Sequence, residues 1–249
     1  MAENTQLDVL AIAAHPDDAE ITCGGLLIKM ARKGHCTGIL DLTQGEMGTY
    51  GDEHDRKGEA DDAAKIMGLS YRHNLKLPDS AVEPDRASKL KVAQVLRETR
   101  PELVVLPHWE QRHPDHLACC RLGYDACFLA GLAKLELKGE PFRPHKIIYA
   151  AYSRAEGYSF LVDISEQIET KILAVAAYKS QFGEFTGLSD SDSEAHRRDI
   201  FAPGVSIFDF IHTRARYYGQ RAGVAFAEAY TIKESILIDD PFEMKVRSL

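Results

Sequence analysis

The part of the chain up to about residue 152 alternates between short apolar runs and longer amphipathic stretches. The apolar runs, which predict strands, cover about 9–14, 37–42, 71–75, 103–106 and 146–152. The amphipathic stretches, which predict helices, cover about 18–33, 53–67, 84–99 and 115–133. Strands that alternate with helices form a parallel sheet covered by helices on both faces. The sequence therefore predicts an α/β fold with a doubly wound, Rossmann-like sheet.

The rest of the chain predicts an extension of this core. Residues 165–179 and 207–230 predict helices, and residues 183–199, rich in Ser, Asp and Gly, predict a long mobile loop. No linker marks a second domain. We therefore expect a single domain over 1–249, with a core over about 1–152. A helical and loop extension over about 153–249 is expected to close the site and contribute to specificity.

Two short motifs each follow a predicted strand. One has the sequence Ala-His-Pro-Asp-Asp and ends at Asp18, and the other has the sequence His-Pro-Asp-His and ends at His116. His15 precedes Asp18 by three residues, as His113 precedes His116, and residues three apart lie on one face of a helical turn. Each motif can therefore direct two side chains toward one point.

The predicted topology brings the two motifs together. If strands two and three lie on one side of strand one, strand four must return to the other side, and ligands bind in the crevice at that switch point. His15, Asp18 and His116 are then the candidate metal ligands. Two imidazoles and a carboxylate with one open position suit a hydrolytic zinc centre.

The remaining motif residues fit the chemistry of such a centre. Asp17 can act as general base, and His113 can stabilise an oxyanion or protonate a leaving amine. Asp115 either orients the ring of His113 or caps a helix. Arg56 and Arg112 are candidates for binding a substrate carboxylate, and Arg112 is favoured because it precedes His113.

Composition excludes several classes of protein. The net charge of −8 argues against binding of nucleic acid. No apolar run approaches the length of a membrane span, and the N-terminus lacks the features of a signal peptide. The five cysteines have no framework spacing, which favours reduced thiols. We therefore expect a cytoplasmic protein with no membrane or nucleic-acid partner, and we expect a homo-oligomer.

At these motifs the chain resembles the LmbE-like (PIG-L) family of zinc-dependent N-acetylglucosaminyl deacetylases. The resemblance rests on residues 14–20 with the glycine pair at 24–25, and on residues 113–116. More narrowly, it resembles the bacillithiol-biosynthesis branch, through residues 109–116, 162–164, 178–182 and 214–230. Related mycothiol-pathway deacetylases have a tyrosine where this chain has Gln111, which weakens an assignment to that branch.

The resemblance implies removal of acetate from a small-molecule N-acetylglucosaminide such as N-acetylglucosaminyl malate. Because malate carries two carboxylates, we expect an acidic aglycone that Arg112 recognises. The resemblance also implies the roles of individual residues: zinc ligands His15, Asp18 and His116, base Asp17, oxyanion-stabilising His113 with its partner Asp115, and sugar-binding Arg56 and Asp79.

Other interpretations remain open from the sequence. The substrate can be another N-acetylglucosamine conjugate or a small glycan, and ferrous iron can replace zinc, at one ion per chain. The same ligand types occur in non-haem iron oxygenases, although those use antiparallel scaffolds. A non-catalytic nucleotide-binding module is disfavoured because the glycine fingerprint is absent after strand one. Gly24 and Gly25 are therefore expected to allow close helix packing.

Overall fold

A computed structural model describes residues 6–151, 157–183 and 205–246. The described strands are β1 (Val9–Ala13), β2 (Thr37–Thr43), β3 (Tyr71–Leu77), β4 (Leu103–Pro107), β5 (Lys146–Ala150), β6 (Phe160–Asp163) and β7 (Ala227–Thr231). The described helices are α1 (Asp18–Arg32), α2 (Glu53–Met67), α3 (Arg86–Thr99), α4 (Pro114–Ala130), α5 (Ile168–Ala176), α6 (Lys179–Phe182) and α7 (Ile207–Ala222), with a 3₁₀ turn over Pro241–Glu243.

The strands form one sheet in the order β3-β2-β1-β4-β5-β7-β6. β1 pairs in parallel with β2 on one side and with β4 on the other, and β5 pairs in parallel with β4. β7 runs antiparallel to both β5 and β6. The prediction of a doubly wound α/β fold, with strands one and four as neighbours, is confirmed.

Both faces of the sheet are covered, which explains the continuous apolar runs of the central strands. Every residue of β1 and β2 is buried. Alternate residues of β1 enter opposite layers: Val9 and Ala11 pack with α1, α2, α5 and α7, whereas Leu10 and Ile12 pack with α3 and α4. The strands that end at the candidate site are therefore held on both sides.

The C-terminal part differs from its prediction in two places. The helix predicted over 207–230 ends at Ala222, because Gly223 adopts a left-handed conformation with φ 72°, and β7 follows. The sequence analysis also missed β6, so the extension adds two strands to the sheet besides its helices. Of the loop predicted over 183–199, residues 184–199 lie outside the described residues. In the part of the chain that is described, no helix has the length and apolar composition needed to cross a membrane.

Gly219 allows α7 to pack against the chain that enters β7. A Cβ atom at this position would lie 2.6 Å from the carbonyl oxygen of Ala225, a backbone atom that cannot rotate away. Gly58 in α2 is a matched control, since a Cβ there would meet no atom within 4 Å.

We predict that Gly219→Ala lowers the free energy of unfolding by about 1–3 kcal/mol, as overpacking does. Gly58→Ala should leave it unchanged or raise it by up to about 1 kcal/mol, because alanine has the higher helix propensity. Urea unfolding followed by circular dichroism measures both values. Equal stability of the two variants would contradict the packing argument.

Candidate metal centre and active site

Both sequence motifs lie where a helix begins at the carboxyl end of a central strand. His15 follows β1, and Asp18 is the first residue of α1. His113 is the N-cap residue of α4, with Pro114 in the first turn and His116 on that turn. Since β1 and β4 are neighbours, the two helix N-termini face each other across the end of the sheet.

The structure brings His15, Asp18 and His116 together. Asp18 Oδ2 lies 3.1 Å from His15 Nδ1, and Asp18 Oδ1 lies 3.1 Å from His116 Nε2. One potential ligand atom from each residue lies within 4.8 Å of those of the other two. Two imidazoles and a carboxylate at this spacing fit zinc or ferrous iron with a position left for a further ligand.

A second group of potential ligands shares His15 and includes His113 and Asp115. The side chains of His113 and Asp115 accept backbone N–H groups, as Asp18 Oδ2 also does from His15 at 3.0 Å. The Asp115 carboxylate accepts the N–H groups of Ser80 at 2.7 Å and Val82 at 3.3 Å. His113 Nδ1 accepts the N–H of Asp115 at 3.2 Å. The first group is the better candidate, because the two Asp18 oxygens each face an imidazole nitrogen of a different histidine.

The Asp115 carboxylate was expected to contact the His113 ring, but in the structure it faces the His15 ring. Asp115 Oδ2 lies 3.3 Å from His15 Nε2, and the backbone N–H of Asp115 holds His113. Residue 115 still orients the histidine, but it does so through its main chain. The ring centroids of His113 and His15 are 4.9 Å apart, so His113 borders the candidate metal centre.

Asp17 has an unusual backbone conformation. Its φ of 111° with ψ of −32° is strained for a residue that has a Cβ atom. Arg56 Nη2 holds this turn, since it donates to the carbonyl oxygen of Pro16 and lies 3.1 Å from Asp17 Oδ2. The buried guanidinium therefore fixes both the backbone and the carboxylate of the candidate base.

Burial and neighbouring charges set the protonation states of this cluster. Burial raises the pKa of Asp17 to about 7, although the charge of Arg56 acts against it. Burial opposes ionisation of Asp18 too, but His116 and His15 hold its pKa well below its usual range. For His15, burial lowers the pKa, yet hydrogen bonds and charges of nearby aspartates raise it to about 11. Burial, with the charges of His15 and His116, lowers the pKa of His113.

A cavity of about 240 Å³ opens beside these residues. Arg56, Asp79 and Arg112 all line it, and Arg112 is the exposed one of the three. Asp79 also contacts the candidate metal centre, because its Oδ1 lies 3.1 Å from His15 Nε2. The three residues predicted to bind substrate thus share one opening, although Arg56 and Asp79 each contact a motif residue.

Residues that the motifs do not indicate also line this cavity, among them Met47 and Gln181. Gln181 arrives there because Ser180 donates from its N–H and its hydroxyl to the carboxylate of Glu59 on α2. The segment over 178–182 carries part of the family resemblance, but only tertiary packing reveals its position. His212, for which the sequence indicates no role, packs edge-on against Phe226 with ring centroids 4.9 Å apart.

Comparison with known proteins identifies the family. The PIG-L family model, described as GlcNAc-PI de-N-acetylase, matches residues 10–127. A diacetylchitobiose deacetylase of Thermococcus kodakarensis is 30% identical over 242 residues, which cover 92% of this chain and 84% of the relative. The chain belongs to the PIG-L family. The predicted resemblance and the prediction of a metal-dependent amide hydrolase, a deacetylase of N-acetylglucosamine compounds, are thereby confirmed at the level of the family.

Two further similarities extend over nearly the whole chain. A conserved protein of Thermus thermophilus has a crystal structure that matches with a TM-score of 0.84 and 38% identity, covering 96% of this chain and all of that one. A 1D-myo-inositol 2-acetamido-2-deoxy-α-D-glucopyranoside deacetylase of Rhodococcus erythropolis is 26% identical, covering 97% of this chain and 92% of the relative. Both similarities therefore include the C-terminal extension, which lies beyond the residues that the family model matches.

We predict that His116→Ala weakens zinc binding by more than about 100-fold, beyond the effect of losing an outer-shell partner. His113→Ala should change the zinc Kd by less than about threefold, because His113 lies outside the first ligand group. Competition with a chromophoric chelator measures both constants. The reverse order of effects would assign the metal to His15, His113 and Asp115.

Proposed function

We propose that this PIG-L protein hydrolyses the acetamide of an N-acetylglucosaminide, with N-acetylglucosaminyl malate as its substrate. The observation that carries the proposal is the Asp17 carboxylate, which is only 13% exposed and lines the same cavity as the first ligand group. His15, Asp18 and His116 would hold one divalent ion, zinc or ferrous iron. Such an ion supplies Lewis acidity, which lowers the pKa of a water and polarises a carbonyl.

Asp17 is the proposed general base. With a pKa of about 7, its carboxylate can take a proton from the attacking water and release it to the leaving nitrogen near neutral pH. The new C–O bond forms first, and negative charge moves onto the carbonyl oxygen. The C–N bond then breaks as the nitrogen takes the proton from Asp17, so acetate and a free amine result. Arg56 keeps the Asp17 carboxylate on the cavity side through contacts with Asp17 and Pro16.

His113 is the proposed oxyanion donor. Because its Nδ1 accepts the Asp115 N–H, the neutral ring carries its proton on Nε2. Its lowered pKa favours that neutral ring near neutral pH. Nε2–H therefore donates to the carbonyl oxygen as negative charge develops, and Asp17 is left to protonate the amine.

Two relatives support the proposal that the substrate contains an acetamido sugar, and an exposed residue of the cavity supports the proposed aglycone. One relative is named for diacetylchitobiose and another for an acetamido-glucopyranoside of inositol, so the acetamido sugar is their common part. Arg56 and Asp79 are the proposed partners of its hydroxyls. Arg112, the exposed cation at the cavity, is the proposed partner of the malate carboxylates.

We also propose that the protein acts in the cytoplasm and as a homo-oligomer. All five cysteines are free, which agrees with a reducing compartment. Leu237 and Phe242 near the C-terminus are 93% and 97% exposed, so they offer apolar surface for contact between copies.

We predict that Asp17→Asn lowers kcat by about 100-fold or more, the usual scale for loss of a general base. Metal content should stay at the wild-type level, since Asp17 is not a proposed ligand. Asp61→Asn, which changes an exposed aspartate paired with Lys57, serves as control and should keep wild-type kcat. Release of acetate and bound metal are measured on the same samples. Near-normal turnover of Asp17→Asn would contradict the proposed mechanism.

We predict that Arg112→Lys raises KM for N-acetylglucosaminyl malate far more than KM for N-acetylglucosamine. Lysine keeps the charge but loses the bidentate geometry that suits a carboxylate. Steady-state kinetics on both substrates, with a neutral aglycone as a third, provide the comparison. Equal changes on all three would mean that Arg112 only shapes the cavity, and would favour another N-acetylglucosamine conjugate or a small glycan.

A further inference from the structure

A buried carboxylate from the C-terminal extension contacts the middle of α1. Glu228 on β7 accepts the backbone N–H of Gly25 at its Oε1 and that of Leu26 at its Oε2, each at 2.8 Å. Oε1 also accepts from Lys171 Nζ, and Oε2 accepts from the Tyr230 hydroxyl at 2.7 Å. Four donors thus satisfy a carboxylate placed against a helix interior, where backbone N–H groups ordinarily bond within the helix.

The glycine at position 25 is required for this contact. A Cβ atom on Gly25 would lie 2.8 Å from Glu228 Oε1 and 2.7 Å from Ile164 Cγ2. A Cβ atom on Gly24 would make only ordinary contacts, the nearest at 3.5 Å to Lys171 Cγ. The close packing that the glycine pair indicates is therefore made at Gly25, where both the Ile164 side chain and the Glu228 carboxylate approach the helix.

Stability alone gives little reason for a charged pair at this position. The side chains of Lys171 and Glu228 are each 4% exposed, and neither lines the cavity beside the candidate metal centre. Removing two charges from water is costly, and well-packed apolar residues often replace such a pair without loss of stability. What an apolar pair cannot provide is a directional bond to two chosen backbone N–H groups.

The contact has a short path to the proposed metal ligand. Thr22 lies one turn before Gly25 and Leu26 on α1, and its hydroxyl donates to the carbonyl oxygen of Asp18 at 2.7 Å. The first turn of α1 also carries Asp17 as its N-cap residue. His15 follows β1, and His116 belongs to α4. A shift of α1 along its axis would therefore move Asp18 relative to both histidines.

We propose that Glu228, held by Lys171, is a positioning residue that fixes α1 so that Asp18 lies between His15 and His116. The inference rests on the proposed function for its ligand set, but not on the identity of the substrate. Glu228 contacts neither the cavity nor the candidate ligands, and it acts through the backbone of Gly25 and Leu26. The C-terminal extension thereby takes part in forming the metal centre.

The first experiment compares Gly25→Ala with Gly24→Ala in the full chain. Both changes raise helix propensity equally, but only Gly25→Ala displaces the Glu228 carboxylate. We expect Gly25→Ala to weaken zinc binding by about 10-fold or more, the range of outer-shell effects, and Gly24→Ala to leave the zinc Kd unchanged. The absorption spectrum of the cobalt(II)-loaded protein should change for Gly25→Ala only, because it reports the geometry of the ligands.

The second experiment removes the charged pair without leaving one charge unpaired. The double variant Glu228→Gln with Lys171→Met should weaken zinc binding similarly and lower kcat with an unchanged KM. Arg97→Met is its matched control. Arg97 is also buried, but it donates to the carbonyl oxygens of Ala130 and Leu132 away from the site, so its loss should reduce stability only.

An unchanged zinc Kd and cobalt spectrum in either Gly25→Ala or the double variant would overturn the proposal. So would an equal loss of zinc affinity in the matched control. If either Gly25→Ala or the double variant does not fold, the zinc Kd and cobalt spectrum of the other one test the proposal. Failure of the proposed function is a separate outcome: the wild type would then bind zinc and release no acetate from any N-acetylglucosamine conjugate.

Discussion

The parallel pairing of β1 with both β2 and β4 is the constraint on which the site depends. It places the carboxyl ends of β1 and β4 side by side, so that residues one hundred positions apart, such as His15 and Asp115, come within 3.3 Å. Each strand is followed by a helix whose first turn carries the motif side chains. Because both faces of these strands are buried, the helix N-termini have little freedom to move apart.

The second constraint is electrostatic. Three aspartate side chains, Asp18, Asp79 and Asp115, lie within 3.3 Å of a ring nitrogen of His15, and the Asp17 carboxylate follows in the same turn. Buried carboxylates at this density need cations. The guanidinium of Arg56 balances the charge of Asp17. A divalent ion bound by His15, Asp18 and His116 would balance the charge of the remaining carboxylates. Burial is what raises the pKa of Asp17 to about 7, and the charge of Asp18 adds to that effect.

The C-terminal extension belongs to the sheet and is tied to α1. β7 adds to the edge of β5, and its Glu228 reaches back across the core to the backbone of Gly25. α6 brings Gln181 to the cavity from the other side. The C-terminal extension thus contacts one of the two helices that carry the motif residues.

The local pattern of the sequence determined the first five strands, the four helices between them and the two motifs, because buried parallel strands and amphipathic helices have distinct periodicities. The tertiary structure decided what depends on contacts between distant residues. It added residues 227–231 to the sheet as β7 with Glu228 buried, although Ala-Glu-Ala-Tyr lacks the apolar run of a central strand. The predicted helix ends before this strand, at the left-handed Gly223. The tertiary structure also directed the Asp115 carboxylate to His15 and left His113 to the Asp115 backbone, since spacing along a chain fixes which residues share a turn but not which atoms face each other across the sheet.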